Sequence, residues 1–172
     1  MPAAVTMIQV GILTISDRSA AGEYKDQSGP LMAQLLSTET DWEVSMLAVV
    51  PDEQDTIARI LKAWCDEDLN LILTSGGTGF APRDITPEAT RQVIEREAPG
   101  IAEALRAESL KITKHAMLSR AVAGIRGRTL IINMPGSPKA VKESLEILLP
   151  ILPHALDLLS EDPGSESGHR AV

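Results

Sequence analysis

Short apolar runs alternate with helix-like segments along this chain, and this alternation constrains the fold more than any other feature. Residues 10–16 form a continuous apolar run, which is typical of a strand buried on both faces. Residues 44–50 and 71–74 are further runs, and each is followed by a polar loop and then by apolar residues at helical spacing. Strands that alternate with helices in this way predict βαβ units, because parallel strands need a crossover connection.

The pattern changes in the last third of the chain. Residues 121–125 and 129–133 are two strand-like pieces around Arg126-Gly127-Arg128, which predicts a hairpin. We therefore predict a three-layer α/β fold whose mainly parallel, mixed sheet has helices on both faces and one antiparallel hairpin strand. The predicted organisation is an N-terminal lead (1–7), a single domain (8–160) and a disordered tail (161–172), since the tail has almost no apolar residue.

Polar residues and prolines predict the helix boundaries. Asp52 is well suited to cap the helix that follows the second run, and Thr86 to cap the helix after the third. The helix that starts at Thr86 is expected to continue until near Pro99, where proline and glycine interrupt the pattern. Ser137 is expected to precede another helix, with Pro138 at its first position.

Composition excludes several classes of function. The 172 residues carry a formal net charge of -8, which argues against broad binding to nucleic acids or membrane surfaces. One cysteine cannot form an internal disulfide framework or a multi-cysteine metal site. The sequence shows neither a secretory signal nor an apolar run of the roughly 20 residues that span a membrane, so we expect a soluble, cytoplasmic protein. An anionic small substrate is compatible with this composition.

Four polar loops follow strands, and the carboxyl ends of parallel strands are where such folds bind ligands. They are the loops that begin at Asp17, at Asp52, at Ser75 and at Asn133. In the third loop, the glycines of "SGGTG" permit positive φ and close approach of backbone to a phosphate or a pterin edge. An ordinary turn is the alternative, since the spacing matches neither the dinucleotide fingerprint nor the P-loop.

Two aspartates and several cations could serve phosphate chemistry. Asp52 and Asp84 could hold Mg²⁺ together with a polyphosphate, although both are also plausible helix-entry residues. Cations that could neutralise phosphate, each of which alone is more often solvated surface, are Arg83, Arg120, Arg126, Arg128, Lys139 and Lys142. The three histidines are scattered without a nucleophile–base pattern, so phosphoryl-type chemistry fits better than acyl transfer or a zinc site.

Several long motifs give a more specific expectation. The strings "LTISDRSAAGEYKDQSGP", "VVPDEQDTI", "LILTSGGTGFAPRDITPEAT" and "MLSRAVAGIRGRTLIINMPGSPKAVKESLE" occur in this order. Together they resemble the molybdopterin adenylyltransferases, which include the MogA-type bacterial enzymes and the G domains of the plant molybdenum-cofactor protein and of gephyrin. The resemblance runs from about residue 8 to residue 159.

The resemblance implies transfer of AMP from Mg-ATP to the terminal phosphate of molybdopterin, with release of pyrophosphate. It implies a homotrimer, and a separate molybdenum-insertion protein that receives the product. Asp52 and Asp84 match the essential acidic pair, which acts through Mg²⁺. The alternative function is a non-catalytic molybdopterin-binding carrier or scaffold. The further residues expected to bind nucleotide or pterin are Ser16, Asp17, Ser75, Gly76, Gly77, Thr78, Gly79, Ser119, Arg120, Asn133, Pro135, Gly136 and Ser137.

Overall fold

Strands and helices alternate along the computed structural model, which describes residues 7–160. The strands are β1 (Gln9–Ile15), β2 (Glu43–Val50), β3 (Leu71–Ser75), β4 (Arg96–Glu97), β5 (Ala123–Arg126) and β6 (Thr129–Met134). The helices are α1 (Asp17–Ala20), α2 (Ser28–Glu39), α3 (Gln54–Asp66), α4 (Thr86–Val93), α5 (Pro99–Leu110), α6 (Pro138–Leu148) and α7 (Leu152–Leu159), and a 3₁₀ helix covers Lys114–Leu118. The predicted disordered tail and residues 1–6 of the predicted lead lie outside the described residues. None of the helices between residues 7 and 160 is both long enough and apolar enough to span a membrane.

The strands form one mixed sheet in the order β2-β1-β3-β6-β5-β4. β1 pairs in parallel with β2 and β3, and β3 pairs in parallel with β6. β5 runs antiparallel to β6 and forms the predicted hairpin, whose turn contains Gly127 at φ 56°. The predicted fold class is therefore confirmed, including the single strand that runs against the others.

The edge strand β4 is absent from the prediction, which continued the preceding helix to near Pro99. α4 ends at Val93 instead, and the chain then pairs with β5. The N–H groups of Glu95 and Ala98 donate to the carbonyls of Ile125 and Ala123, at 2.8 and 2.9 Å. These tertiary hydrogen bonds override the helical preference of the local sequence.

Two apolar layers enclose the sheet. On one face, α2, α5, α6 and α7 pack over inward side chains such as Ile12, Leu73 and Ile132. On the other face, α3 and α4 pack over Leu13 and Ile72. Because β1, β3 and β6 are covered on both faces, they are continuously apolar, which is the pattern that identified them in the sequence.

The predicted helix cap at Asp52 is wrong. α3 begins at Gln54, and its cap position is occupied by Glu53, whose side chain accepts no backbone N–H of the helix. The Asp52 carboxylate turns instead to the neighbouring loop, where its Oδ2 accepts the N–H of Asp17 at 2.9 Å. A carboxylate of the right type for a cap is therefore held away from the helix it precedes.

Thr86 is also not a cap, whereas Ser137, which was predicted to precede a helix, is one. Thr86 is the first residue of α4, and its hydroxyl donates to the carbonyl of Gly76 at 3.0 Å. Ser137 Oγ accepts the N–H of Ala140 at 3.2 Å and so caps α6. Thr86 thus ties the glycine-rich loop to α4 rather than stabilising the helix end by itself.

Candidate active site

The loops that follow β1, β2, β3 and β6 meet at one edge of the sheet, as expected for parallel strands. The N–H of Ser16 donates to the carbonyl of Val50 at 2.9 Å, which joins the first loop to the second. The N–H of Gly76 donates to the carbonyl of Met134 at 3.1 Å, which joins the third to the fourth. The backbone therefore fixes the relative positions of all four loops.

Gly76 and Gly77 have backbone conformations and surroundings that only glycine fits. Gly76 has φ 99°, and a Cβ added there would lie 2.2 Å from the carbonyl oxygen of Ile15. Gly77 has φ 68°, and its Cβ would lie 2.2 Å from Thr86 Oγ1 and 3.0 Å from Asp52 Oδ1. Both positions combine the left-handed region with close packing, so a side chain would displace the loop.

The next glycine brings the same loop against the second acidic residue. A Cβ on Gly79 would lie 2.9 Å from Asp84 Oδ2, and one on Gly77 would approach Asp52. Gly136 in the fourth loop lies so close that its Cβ would be 3.3 Å from the Cα of Gly76. The glycine-rich backbone therefore runs between the carboxylates of Asp52 and Asp84.

Backbone N–H groups orient both of these carboxylates. Asp52 Oδ2 accepts from Asp17 and Asp84 Oδ2 accepts from Ala81, each at 2.9 Å. Burial raises the pKa of Asp52, and the negative charges of Asp17 and Asp84 raise it further, against the lowering effect of the hydrogen bond. Asp52 thus lies in a partly desolvated, negative environment, in which a cation would favour the ionised form.

Asp17, predicted to bind substrate, is engaged by protein groups. Its carboxylate accepts two hydrogen bonds from Arg83, from Nε at 2.6 Å and from Nη2 at 2.9 Å. The Arg83 hydrogen bonds are the main reason that the pKa of Asp17 is lowered. Asp17 Oδ1 also accepts the N–H of Asp52 at 3.0 Å, so these two aspartates bind each other reciprocally.

Arg120, another predicted ligand, supports the glycine-rich loop. Its Nε donates to the carbonyl of Gly79 at 2.8 Å, and its Nη2 to the carbonyl of Asp84 at 2.5 Å. Its guanidinium also forms an ion pair with Glu88, and the hydrogen bond from Arg120 is the main reason that the pKa of Glu88 is lowered. The N–H of Arg120 donates to the carbonyl of Thr78 at 2.8 Å. Arg120 therefore holds both ends of the segment that carries Asp84.

Asn133, also predicted to bind substrate, is a buried structural residue with 1 % of its surface exposed. Its Nδ2 donates to the hydroxyls of Thr74 and Thr90 at 3.0 and 2.9 Å, and its Oδ1 accepts the N–H of Val122 at 3.2 Å. These bonds join β3, α4 and the chain just before β5 to the end of β6. The side chain is thus committed to the fold directly beneath the fourth loop.

The side chains of Ser75 and Thr78 are buried as well. Ser75 Oγ donates to the carbonyl of Pro135 at 3.1 Å, which ties the third loop to the fourth. The carbonyl of Thr78 is the acceptor for Arg120. These predicted binding residues hold the loops in place, mainly through backbone groups.

A polar cavity of about 330 Å³ opens beside the first and fourth loops. The predicted residues that line it are Ser16, Ser75, Gly136 and Ser137, and the sequence analysis missed Thr14, Ser19, Tyr24, Asp26, Gln27 and Ser28. Four of these six residues lie in the motif "EYKDQSGP", which carries part of the resemblance but to which no binding residue was assigned.

Asp26, an acidic residue of this motif, accepts hydrogen bonds from the start of α2 and from β1. Its Oδ1 accepts the N–H groups of Ser28 and Gly29, both at 3.1 Å, at the start of α2. Its Oδ2 accepts the hydroxyl of Thr14 at 2.9 Å. A Cβ on Gly29 would lie 2.5 Å from Asp26 Oδ2, so the glycine makes room for this carboxylate.

A second cavity, of about 350 Å³, lies beyond Arg120 on the side of β5. Ser119 and Arg120 line it together with Arg91 and Arg106. Ser119 Oγ accepts the N–H of Ala121 at 3.3 Å. Six of the predicted binding residues therefore line these two cavities, four the first and two the second, and Arg120 links the second cavity to the loop that carries Asp84.

This fold and site define an α/β protein with a glycine-rich loop, flanked by two carboxylates, at the carboxyl edge of its parallel strands, the edge at which such folds bind ligands. Residues 11–154 match the family model described as "Probable molybdopterin binding domain". The chain belongs to this family, which confirms the resemblance drawn from its motifs.

Two curated relatives and one solved structure illustrate the similarity. The molybdenum cofactor synthesis protein cinnamon of Drosophila melanogaster is 50% identical over 157 residues, which are 90% of this chain but only 26% of that protein. The chain thus spans about a quarter of this longer relative. The molybdopterin adenylyltransferase of Helicobacter pylori strain J99 is 44% identical over 159 residues, 88% of each chain. The molybdopterin biosynthesis enzyme MoaB of Thermus thermophilus superposes with a TM-score of 0.85 at 52% identity, over 91% of this chain and 99% of that one.

Proposed function

We propose that this protein is a molybdopterin adenylyltransferase, which transfers AMP from ATP to the terminal phosphate of molybdopterin and releases pyrophosphate. A phosphate oxygen of molybdopterin forms the new bond to the α-phosphorus, and the bond between that phosphorus and the bridging oxygen of the leaving pyrophosphate breaks. The Helicobacter relative, similar over nearly the whole of both chains, carries this name.

One observation in the structure carries the proposal. The carboxylates of Asp52 and Asp84 flank a glycine-rich backbone, where a Cβ at Gly77 or Gly79 would come within about 3 Å of them. This arrangement sets loop backbone that could donate hydrogen bonds to a phosphate close to two acidic groups. A phosphate next to two carboxylates is unfavourable unless a cation lies between them, which is what Mg-ATP would supply.

Asp52 and Asp84 fit a magnesium site completed by substrate. Between residues 7 and 160 no group of three or more His, Cys, Asp and Glu side chains could hold a metal by itself. Hydrogen bonds of the described residues engage Oδ2 of each aspartate and leave Oδ1 for a ligand. Mg²⁺ usually takes one or two carboxylates and completes its shell with phosphate oxygens and water. When bound, the ion would neutralise charge on the transferred phosphoryl group.

The chain's own groups bind and orient the substrates. The N–H of Gly76 is bound to Met134, but the N–H groups of the next residues of the glycine-rich loop can donate to phosphate oxygens, because little side-chain bulk covers the backbone there. The polar cavity beside Ser16 and Ser137 offers hydroxyl and carboxylate groups for one substrate. Transfer to the molybdopterin phosphate is direct and needs no protein nucleophile.

The same proposal extends to the setting of the enzyme. It acts as a homotrimer in the cytoplasm and passes the adenylylated product to a separate molybdenum-insertion protein. These statements rest on the resemblance of the motifs to the adenylyltransferase family. A monomeric mass in multi-angle light scattering would contradict the trimer.

The function is tested by mixing the purified protein with molybdopterin, ATP and MgCl₂, and measuring pyrophosphate and adenylylated pterin. We expect both products in equal amounts, and their loss when Mg²⁺ is chelated. Asp84→Asn should reduce turnover by about 100-fold or more while molybdopterin still binds. Asp66→Asn, at an exposed ion pair on α3, is the matched control and should leave turnover unchanged. Tight binding of molybdopterin without pyrophosphate would identify a carrier and contradict the proposal.

A further inference from the structure

Three of the four loops at the site are joined through two residues, Asp17 and Arg83. The first loop contributes Asp17, the second Asp52, and the third Arg83 and Asp84. Asp17 binds Asp52 in both directions, N–H to carboxylate, at 2.9 and 3.0 Å. Arg83 binds the carboxylate of Asp17 through two nitrogens, at 2.6 and 2.9 Å.

We propose that Asp17 and Arg83 are positioning residues, a clamp that fixes Asp52 and Asp84 relative to each other for adenylyl transfer. This inference rests on the proposed function. Asp17 contacts Asp52 directly: its backbone N–H donates to Asp52 Oδ2, and its side-chain Oδ1 accepts the N–H of Asp52. Arg83 is the residue before Asp84, so its grip on Asp17 fixes the backbone of the segment that carries the second carboxylate.

The geometry of the clamp suits positioning better than general stabilisation. The Asp17 and Arg83 side chains are 40% and 61% exposed, and exposed ion pairs contribute little to the stability of a fold. A two-nitrogen contact between a guanidinium and a carboxylate is nevertheless strongly directional, because both groups are planar. The clamp can therefore set the orientation of the site without being needed for folding.

Charge gives the clamp a second effect. The negative charges of Asp17 and Asp84 both act on the Asp52 carboxylate. The Arg83 guanidinium offsets the negative charge of Asp17, which would otherwise repel the Asp52 carboxylate that Asp17 must hold. Lysine could supply the same charge from a flexible stem, but it cannot make the planar two-nitrogen contact.

Four variants test the clamp by kinetics: Asp17→Asn, Arg83→Gln, Arg83→Lys and the double variant Asp17→Asn/Arg83→Gln. We expect each single change to Asn or Gln to lower kcat by about 10- to 100-fold, the range typical of groups that orient ligand-holding residues. KM for ATP should change by less than about threefold, since substrate contacts remain. Arg83→Lys should recover only part of kcat. The double variant should be no worse than the poorer single variant, because both changes break the same contact.

Two measurements independent of turnover separate positioning from other roles. The Tm of each variant should shift by less than about 2 °C, as for an exposed ion pair. Crystal structures of Asp17→Asn and Arg83→Gln should show the Asp52 carboxylate or the residue 81–84 turn displaced. Lys62→Gln, which breaks an exposed ion pair on α3, is the control and should change neither kcat nor these positions.

Three results would overturn the inference. If the kcat reductions of the two single variants multiply in the double variant, and KM for ATP rises strongly, Arg83 binds phosphate itself. Unchanged kcat in both Asp17→Asn and Arg83→Gln would show that the two carboxylates need no such clamp. A Tm loss of about 10 °C or more would show a structural role. A wild-type chain that releases no pyrophosphate would instead contradict the proposed function, and this inference with it.

Discussion

Replacing Asn133 with alanine is expected to lower the free energy of unfolding by about 3 to 5 kcal/mol. The change removes hydrogen bonds to Thr74, Thr90 and Val122. The two bonds from Nδ2 contribute about 1 kcal/mol each, and the loss of the third bond leaves the buried N–H of Val122 without that partner, which costs about 1 to 3 kcal/mol. For a domain of this size, 1 kcal/mol corresponds to about 2 to 4 °C, so Tm should fall by about 6 to 20 °C.

The assay is urea and thermal unfolding followed by circular dichroism, with kinetics measured well below the Tm of the variant. Asn70→Ala is the matched control, because the Asn70 side chain accepts one half-buried hydrogen bond, from the N–H of Gln9 at 2.7 Å. It should cost about 1 kcal/mol. If Asn133→Ala unfolds within about 2 °C of the wild type but raises the KM of a substrate more than tenfold, the structural role is wrong and the amide contacts a ligand.

Two further substitutions test the loops around the carboxylates. Gly77→Ala should lower Tm and reduce pyrophosphate release at least about tenfold, because alanine at φ 68° is strained and its Cβ would meet Thr86 Oγ1 at 2.2 Å. Gly100→Ala in α5 is the control: its Cβ meets nothing within 4 Å, so Tm and pyrophosphate release should stay unchanged. Equal effects of the two substitutions would refute the steric argument. Glu88→Gln should lower Tm near pH 7. The hydrogen bond from Arg120 lowers the pKa of Glu88 below its ordinary 4.5, so this contact stabilises the fold only at pH values where Glu88 is ionised. In acid-titrated unfolding, the difference from wild type should shrink as the pH falls below about 4.5, and a constant difference would contradict the linkage.

Periodicity was sufficient to predict the sheet and most of its helices. β1, β3 and β6 are buried on both faces, so their sequences are continuously apolar and easily recognised. β4 could not be recognised, because it has only two residues, both exposed, and exists only through its pairing with β5. Its helical-looking sequence is overridden by contacts that a local pattern does not contain.

The sequence predicted that the four loops lie together but assigned two helix caps, at Asp52 and Thr86, incorrectly. The order of parallel strands placed the four loops at one edge, and residue types then suggested Asp52 and Asp84 as the acidic pair. Asp52 was also expected to cap α3, and residue type alone cannot separate a cap from a ligand. The choice is made by Asp17, whose N–H draws the carboxylate toward the neighbouring loop across 35 residues of sequence.

The arginines of the site show most clearly what the sequence left open. Arg83 and Arg120 were predicted as sources of positive charge for phosphate, yet each binds protein acceptors, Arg83 at Asp17 and Arg120 at Glu88 and two carbonyls of the third loop. These guanidiniums hold the loop from two sides and so set the distance between its backbone and the two carboxylates. The proposed function then leaves the charge of a bound phosphate to be balanced by loop N–H groups and by a cation at Asp52 and Asp84. In such a site the affinity for a nucleotide depends on the cation it brings, so calorimetric titration with ATP should show weak binding in EDTA and tighter binding with MgCl₂.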